Sequence, residues 1–291
     1  MLAASQMMLW AAAAPGGPAA PATMIPTTQI APGVHMPMLM MGGYNITGAR
    51  TNHPSNYSIW LADGNVGIDG AWMYDTNANI AGAIKASGVA RDDLFITSKI
   101  PCSQKTGKRY PNPMTKAAAA KYIADDLAQM GLEYIDLMLV HWPCITAAEN
   151  AVVWEVLEEA VQKKQLKAIG VSNFKPSDLE ALKKTQKVAP VVNQCRMSVG
   201  DVDKETIAYG KAHGITYEAY SALQGGGMDN PKVKAIAASH GVAAADVIMR
   251  WITQQGIVVV TGSMKQEYDL EDEAIFKFNL TAVEMATLDG I

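Results

Sequence analysis

The sequence predicts an α/β chain folded as a single closed (β/α)8 barrel. Three observations carry that expectation: eight short apolar runs recur along the chain, helical patterns alternate with them, and no Pro- or Ser-rich linker divides the 291 residues into halves. Length alone would admit two average domains or one large barrel. Continuous apolarity is what strands buried on both faces need, as in a parallel sheet covered by helices. A doubly wound open sheet is the rival, but no GxGxxG follows an early strand, so the usual Rossmann phosphate loop is missing.

From the N-terminus, Met1 to Thr23 reads as a flexible extension and 24–291 as the barrel. The first charged residue is Arg50, and the early apolar run is broken by Pro15, Gly16 and Gly17. It is too short to span a bilayer, and with no basic residues before it the signal-peptide pattern is incomplete. A processed targeting segment is the alternative; the expectation is a cytoplasmic protein without a membrane partner. The strand candidates are "MPMLMMGGY", "VGID", "LFITSK", "YIDLMLVHW", "LKAIGVSNF", "PVVNQ", "ITYEAYS" and "IVVVTGS". In "TKAAAAKYIADDLAQMG", Thr115 caps a helix, Tyr122 and Leu127 lie on its apolar face, and Gly131 ends it in a left-handed conformation. In "NAVVWEVLEEAVQKKQ", Trp154, Leu157 and Val161 recur at helical spacing as a core stripe.

Composition narrows the function. With 49% hydrophobic and 18% charged residues the chain has the makeup of a globular protein. A net charge of -4 argues against a nucleic-acid surface and leaves a small molecule as the partner. Cys102, Cys144 and Cys195 lack metal-ligand spacing, and an odd, sparse set suits packed thiols in a reducing compartment better than a disulfide framework.

In a barrel, side chains at the C-terminal ends of strands converge on one mouth. Asp69 ends "VGID", Tyr74 lies on the turn after it, Lys99 ends "LFITSK" and His141 ends "IDLMLVH". Singly, each has a plain role: Asp69 caps a turn with Tyr74 packed beside it, Lys99 snorkels to solvent, His141 is a satisfied core histidine. Together they suggest a proton-donating device. A lysine ammonium near a phenol favours its ionised form and lowers its pKa, an aspartate keeps the lysine charged and in place, and a histidine donates to a substrate oxygen.

On these residues the sequence resembles the aldo-keto reductases. The resemblance runs from about Ile25 to the C-terminus and rests on Asp69 with Tyr74 five residues on, "ITSK", "DLMLVHWP", "WEVLEEAVQKKQLKAIGVSNF" and "VVNQC", with an opening hairpin pattern in "TTQIAPGVHMPML". It implies a TIM barrel with an N-terminal β-hairpin and a tetrad of Asp69, Tyr74, Lys99 and His141. Aldehydes or ketones would be reduced by hydride passed directly from a nicotinamide cofactor, with Tyr74 as general acid. It further implies that Ser172, Asn173 and Gln194 hydrogen-bond the cofactor's carboxamide, that Tyr220 stacks on its ring, and that Ser221 and Leu223 cradle the pyrophosphate by their backbone amides. Gly225, Gly226 and Gly227 give that loop freedom to close, or make a plain turn; "SNF" serves equally to cap a helix.

The chain departs from the family where the adenosine phosphate is usually gripped by a Lys-Ser pair and an Arg. Gly262 and Ser263 stand for the pair and Tyr268 for the Arg, amid an acidic run from Glu267 through Asp269 to Glu271, Asp272 and Glu273. NADPH is the family expectation. NADH use is open, because a carboxylate such as Glu271 accepts from a free 2'-hydroxyl, whereas the run otherwise reads as a solvated helix face and Lys265 offers compensating charge. Tyr44 stands for the family's Trp near the first strand, and the short C-terminal tail implies an open site. Tyr44, Trp72 and Trp142 are candidate pocket walls, and the basic loop "PCSQKTGKRYPNPMT" either covers the mouth or is solvated. The leading function is a carbonyl reductase acting as a monomer. A cofactor-binding regulatory barrel with little turnover, and reduction of carbon-carbon double bonds, are the alternatives; the second resembles a pattern with Glu in place of His141.

Overall fold

The computed structural model describes residues 25–44, 55–103, 110–262 and 274–291. An antiparallel hairpin, β1 (Thr27–Ala31) and β2 (Val34–Pro37), turns at Gly33, whose φ of 73° is the left-handed conformation glycine adopts without cost. Eight strands follow: β3 (Leu39–Gly42), β4 (Gly67–Asp69), β5 (Phe95–Ile100), β6 (Ile135–Val140), β7 (Leu166–Ser172), β8 (Val192–Arg196), β9 (Thr216–Tyr220) and β10 (Val258–Thr261). Each pairs in parallel with the next, and β10 closes on β3. Six fall within the runs picked out by apolarity, β5 runs one residue past its run to Ile100 and β8 two past its run to Arg196, and closure excludes the open sheet.

Outside the strands lie α1 (Ser55–Ala62), α2 (Asn77–Ser87), α3 (Lys116–Met130), α4 (Ala147–Gln162), α5 (Pro176–Lys183), α6 (Lys204–His213), α7 (Pro231–His240), α8 (Ala244–Gln254) and α9 (Ala282–Asp289). The caps of α3 are those expected: the Thr115 side chain accepts from the Ala118 amide, and Gly131 has φ 65°. None of the described helices is long and apolar enough to cross a membrane.

Two apolar layers hold the barrel. Between strands and helices, Trp60, Trp154 and Trp251 are wholly buried, and each indole N–H is spent on an oxygen: Gly67 O, Val188 O and Asp289 Oδ1, at 2.8, 2.9 and 2.8 Å. Inside the barrel, Phe95, Leu137, Leu139 and Val258 pack with Ile30 and Met36 from the hairpin. The hairpin therefore plugs the end where the strands begin, and only the opposite end is open.

The cysteines differ from expectation. Cys102 and Cys144 form a disulfide across 42 residues of sequence, whereas Cys195 is a free buried thiol. Spacing in sequence did not reveal the pair because parallel strands β5 and β6 bring two distant loops to adjacent positions on the rim, with Cα atoms 5.1 Å apart.

Under denaturing, non-reducing conditions, thiol titration should count one free cysteine, and three after reduction. Opening a loop of that length should cost about 4 kcal/mol of unfolding free energy in the chain-entropy account, read from urea midpoints with and without reductant. A second test concerns Asp126 of α3, which is fully buried, accepts from Ser98 Oγ at 2.5 Å and Asn77 Nδ2 at 2.8 Å, and is pushed by burial up to about 7. A carboxyl raised on folding favours the native state most at low pH, so this contribution declines as pH rises from the ordinary carboxyl range to about 7. Asp126→Asn should flatten that decline in urea midpoints taken across the same range.

Candidate active site

At the strand C-termini a cavity of about 390 Å3 opens. Its floor is a buried ion pair. Lys99, without solvent exposure, donates from Nζ to Asp69 Oδ2 at 2.6 Å and to Gly70 O at 2.9 Å, and Gln194 Nε2 donates to Asp69 Oδ1 at 2.9 Å. The adjacency follows from the fold: β4 and β5 are neighbours in register, so inward residues at their ends meet. Burial alone would pull the Lys99 ammonium down; the carboxylate of Asp69, with Tyr74 and Glu218, outweighs it, and Lys99 stands above the ordinary lysine range.

Tyr74 ends a short 3₁₀ turn, Trp72–Tyr74, directly after β4. Its hydroxyl lies 3.4 Å from His141 Nε2, and Lys99 Nζ sits 5.1 Å from its ring centre. The expectation that Lys99 leaves this phenol more acidic than usual is not met. Burial pushes Tyr74 up to about 12, and the pull of Lys99 in the opposite direction does not prevail because the phenolate loses more hydration than one ammonium restores. His141, just past β6, is driven well below the usual histidine range, first by burial and then by Lys99, and is neutral. Its Nδ1 has no hydrogen-bond partner among the described residues.

A second wall is built by β7, β8 and β9. Ser172 Oγ donates to Gln194 O at 2.7 Å, Asn173 Nδ2 donates to His141 O and Ser172 Oγ, both at 3.0 Å, and Tyr220 Oη donates to Asn173 Oδ1 at 2.8 Å. Asn173 and Ser221 hold φ of 62° and 58°, a left-handed backbone that non-glycine residues occupy mainly where surroundings impose it. Ser221, Leu223 and Gly262 also line the cavity, and Gly225 and Gly226 turn with φ of 103° and 85°.

Of the apolar walls, Tyr44 and Trp142 line the cavity, with Tyr44 5.3 Å from the Tyr74 ring. Trp72 is a correction. With three residues per turn, a 3₁₀ turn sends neighbouring side chains in different directions, so Trp72 packs edge-on against Tyr122 of α3 at 4.5 Å while Met73 faces the cavity. Met73 went unrecognised because its direction depends on that turn. The loop "PCSQKTGKRYPNPMT" does border the mouth at its described end: Tyr110 lies 5.4 Å from the Trp142 ring, and its Oη is 3.8 Å from Met73 Sδ. The disulfide ties the same loop to the one after β6, and Trp142 Nε1 donates to Cys102 O at 3.1 Å. Ser263, Lys265, Tyr268 and Glu271, with the acidic run, lie outside the described residues, as do the loop's cations Lys105, Lys108 and Arg109 and the extension to Thr23.

The mouth of the parallel barrel thus brings a buried lysine-aspartate pair beside a phenol and a neutral imidazole. Residues 61–291 match the model of the Aldo/keto reductase family, to which the chain belongs. It is 34% identical to a glyoxal reductase of Bacillus subtilis (93% of this chain, 94% of that protein) and 32% identical to a morphine 6-dehydrogenase of Pseudomonas putida (89% and 88%). Among solved structures it is similar to an aldo/keto reductase from Brucella melitensis, at TM-score 0.84 and 29% identity, covering 92% of this chain and 99% of that one. Another is an aldo-keto reductase complexed with NADPH, at TM-score 0.80 and 26% identity, covering 92% and 88%.

Removing the carboxylate from this floor should be costly. Asp69→Ala leaves a buried ammonium unpaired and should destabilise the fold by about 3–5 kcal/mol; the urea midpoint measures it. A change below about 1 kcal/mol would place Lys99 in contact with solvent and contradict its burial.

Proposed function

We propose that this aldo-keto reductase reduces an aldehyde or ketone to the alcohol with Tyr74 as general acid. The observation that carries the reading is the convergence of the Tyr74 hydroxyl, the His141 imidazole and the buried Lys99–Asp69 pair on one cavity whose opposite wall is built from uncharged hydrogen-bonding groups and an aromatic ring. That second wall fits a nicotinamide cofactor. Gln194, Asn173 and Ser172 present neutral amide and hydroxyl groups suited to a carboxamide, the half-buried Tyr220 offers a ring face, and the turned backbone at Ser221 through Leu223 suits an anionic bridge. When bound, the cofactor supplies the hydride.

The protein's part is orientation and the proton. A carbonyl oxygen seated between Tyr74 Oη and His141 Nε2 receives two hydrogen bonds, one from the phenol and one from the neutral imidazole, whose tautomer is then Nε2–H. As negative charge grows on that oxygen, Tyr74 gives up its proton, and Lys99 stabilises the phenolate left behind. A phenol held at about 12 remains protonated at neutral pH, so the donor is present in every molecule. Asp69 and Gln194 keep Lys99 charged and pointed at the phenol. Tyr44, Met73 and Trp142 receive the apolar part of the substrate.

For the cofactor we infer NADPH, supported by the NADPH-bound relative, with weak discrimination against NADH. Gly262 brings no cation where the family places a lysine, and a charge-assisted contact is worth about 1.5–3 kcal/mol, tenfold or more in preference.

With an aromatic aldehyde, absorbance decay should be seen with both cofactors, and the kcat/KM ratio between them should stay within about tenfold. Tyr74→Phe should lose about 10²- to 10⁴-fold in kcat while cofactor binding, followed by tryptophan fluorescence, shifts little. A variant retaining most of its turnover would remove Tyr74 from the acid's role.

A further inference from the structure

Glu218 is a buried acid that this scheme does not use. On β9 it sits in register with Gln194 of β8 and Val258 of β10. Gln194 reaches inward to Asp69 and Val258 belongs to the inner core, so Glu218 also points into the barrel. It has no solvent exposure, and neither carboxyl oxygen meets a hydrogen-bond partner in good geometry among the described residues. The charged groups facing it are Asp69 from β4 and Lys99 from β5; β8 contributes the neutral Gln194 amide and β10 the aliphatic Val258.

We propose that Glu218 is a positioning residue, an uncharged acid kept beside the Asp69–Lys99 pair that, on ionising, adds a second anion to the barrel interior and opposes ionisation of Tyr74. A buried carboxylate without good hydrogen bonds is unfavourable, and a second one beside Asp69 more so. Burial and then Asp69 push Glu218 up to about 8, with Lys99 and Gln194 pulling against them. Below that pH the interior holds one cation and one anion; above it there is a net negative charge. That charge disfavours the Tyr74 phenolate, which alcohol oxidation needs as base, so Glu218 restrains the oxidative direction at alkaline pH. The inference rests on Tyr74 acting as acid and base.

The test compares the pH dependence of alcohol oxidation in wild type, Glu218→Gln and Tyr74→Phe, with infrared difference spectra of wild type against Glu218→Gln. Glutamine copies the shape of the neutral acid but does not ionise. The ratio of Glu218→Gln to wild-type rate should climb by a few-fold from about pH 6 to about pH 10, because the added charge lies beside Asp69 and Lys99 and not against Tyr74 itself. The infrared difference should show a protonated carboxylic acid at the acid end and a carboxylate at the alkaline end. A flat ratio in an enzyme that needs Tyr74 overturns the proposal alone, as does a carboxylate at every pH. Full oxidation by Tyr74→Phe overturns the Tyr74 reading and the proposal with it, while the infrared titration still reports the charge of Glu218.

Discussion

The Lys99–Asp69 ion pair is the constraint around which the barrel mouth is organised. An ammonium with no solvent exposure is sustained only by partners in good geometry, and Lys99 has two, Asp69 Oδ2 at 2.6 Å and Gly70 O at 2.9 Å. Both come from the end of β4, the strand beside β5. The remaining oxygen of Asp69 is satisfied from β8 by Gln194. One charge pair thus fixes the relative heights of three strands at the mouth and leaves the lysine aimed at Tyr74, which follows β4 by a single short turn.

Such a pair needs a dry floor, and the hairpin supplies it. Ile30 and Met36 pack against Phe95, Leu137 and Leu139 at the closed end, so water reaches the polar cluster from one side only. Low polarizability below and an open cavity above explain why four groups near the pair depart from their ordinary behaviour in different directions: Lys99, Tyr74 and Glu218 up, His141 down. In every case except Lys99 the uncharged form is favoured. The interior concentrates its charge in one neutral pair and keeps its neighbours uncharged.

Most of the fold was legible in sequence because strands buried on both faces must be apolar throughout, and that pattern survives without structural context. The placement of Asp69, Lys99 and His141 was legible for a related reason: a polar residue closing an apolar run has few positions other than the mouth. What escaped was set by side-chain direction and by contacts between distant segments. Trp72 and Met73 exchange roles through one 3₁₀ turn, and Cys102 finds Cys144 only because β5 and β6 adjoin. The acidity of Tyr74 escaped because burial and charge act oppositely, and their balance depends on depth that composition does not encode.

The rim is fastened unevenly, and the unevenness follows the chemistry. From the loop after β5, the disulfide and the Trp142–Cys102 hydrogen bond reach the loop after β6; Asn173 then bonds His141 O, and Tyr220 bonds Asn173. This linkage spans the ends of β5, β6, β7 and β9, the strands that present Lys99, His141, Ser172 and Tyr220. Errors of about 1 Å in such positions cost orders of magnitude in rate, so these strand ends repay cross-linking. Tyr44, by contrast, is 63% exposed and Leu223 37%, apolar surface on the two loops that flank the entrance. Those exposed residues border the entrance, whereas Asp69 and Lys99 close strands β4 and β5, and Tyr74 follows β4 by one short turn.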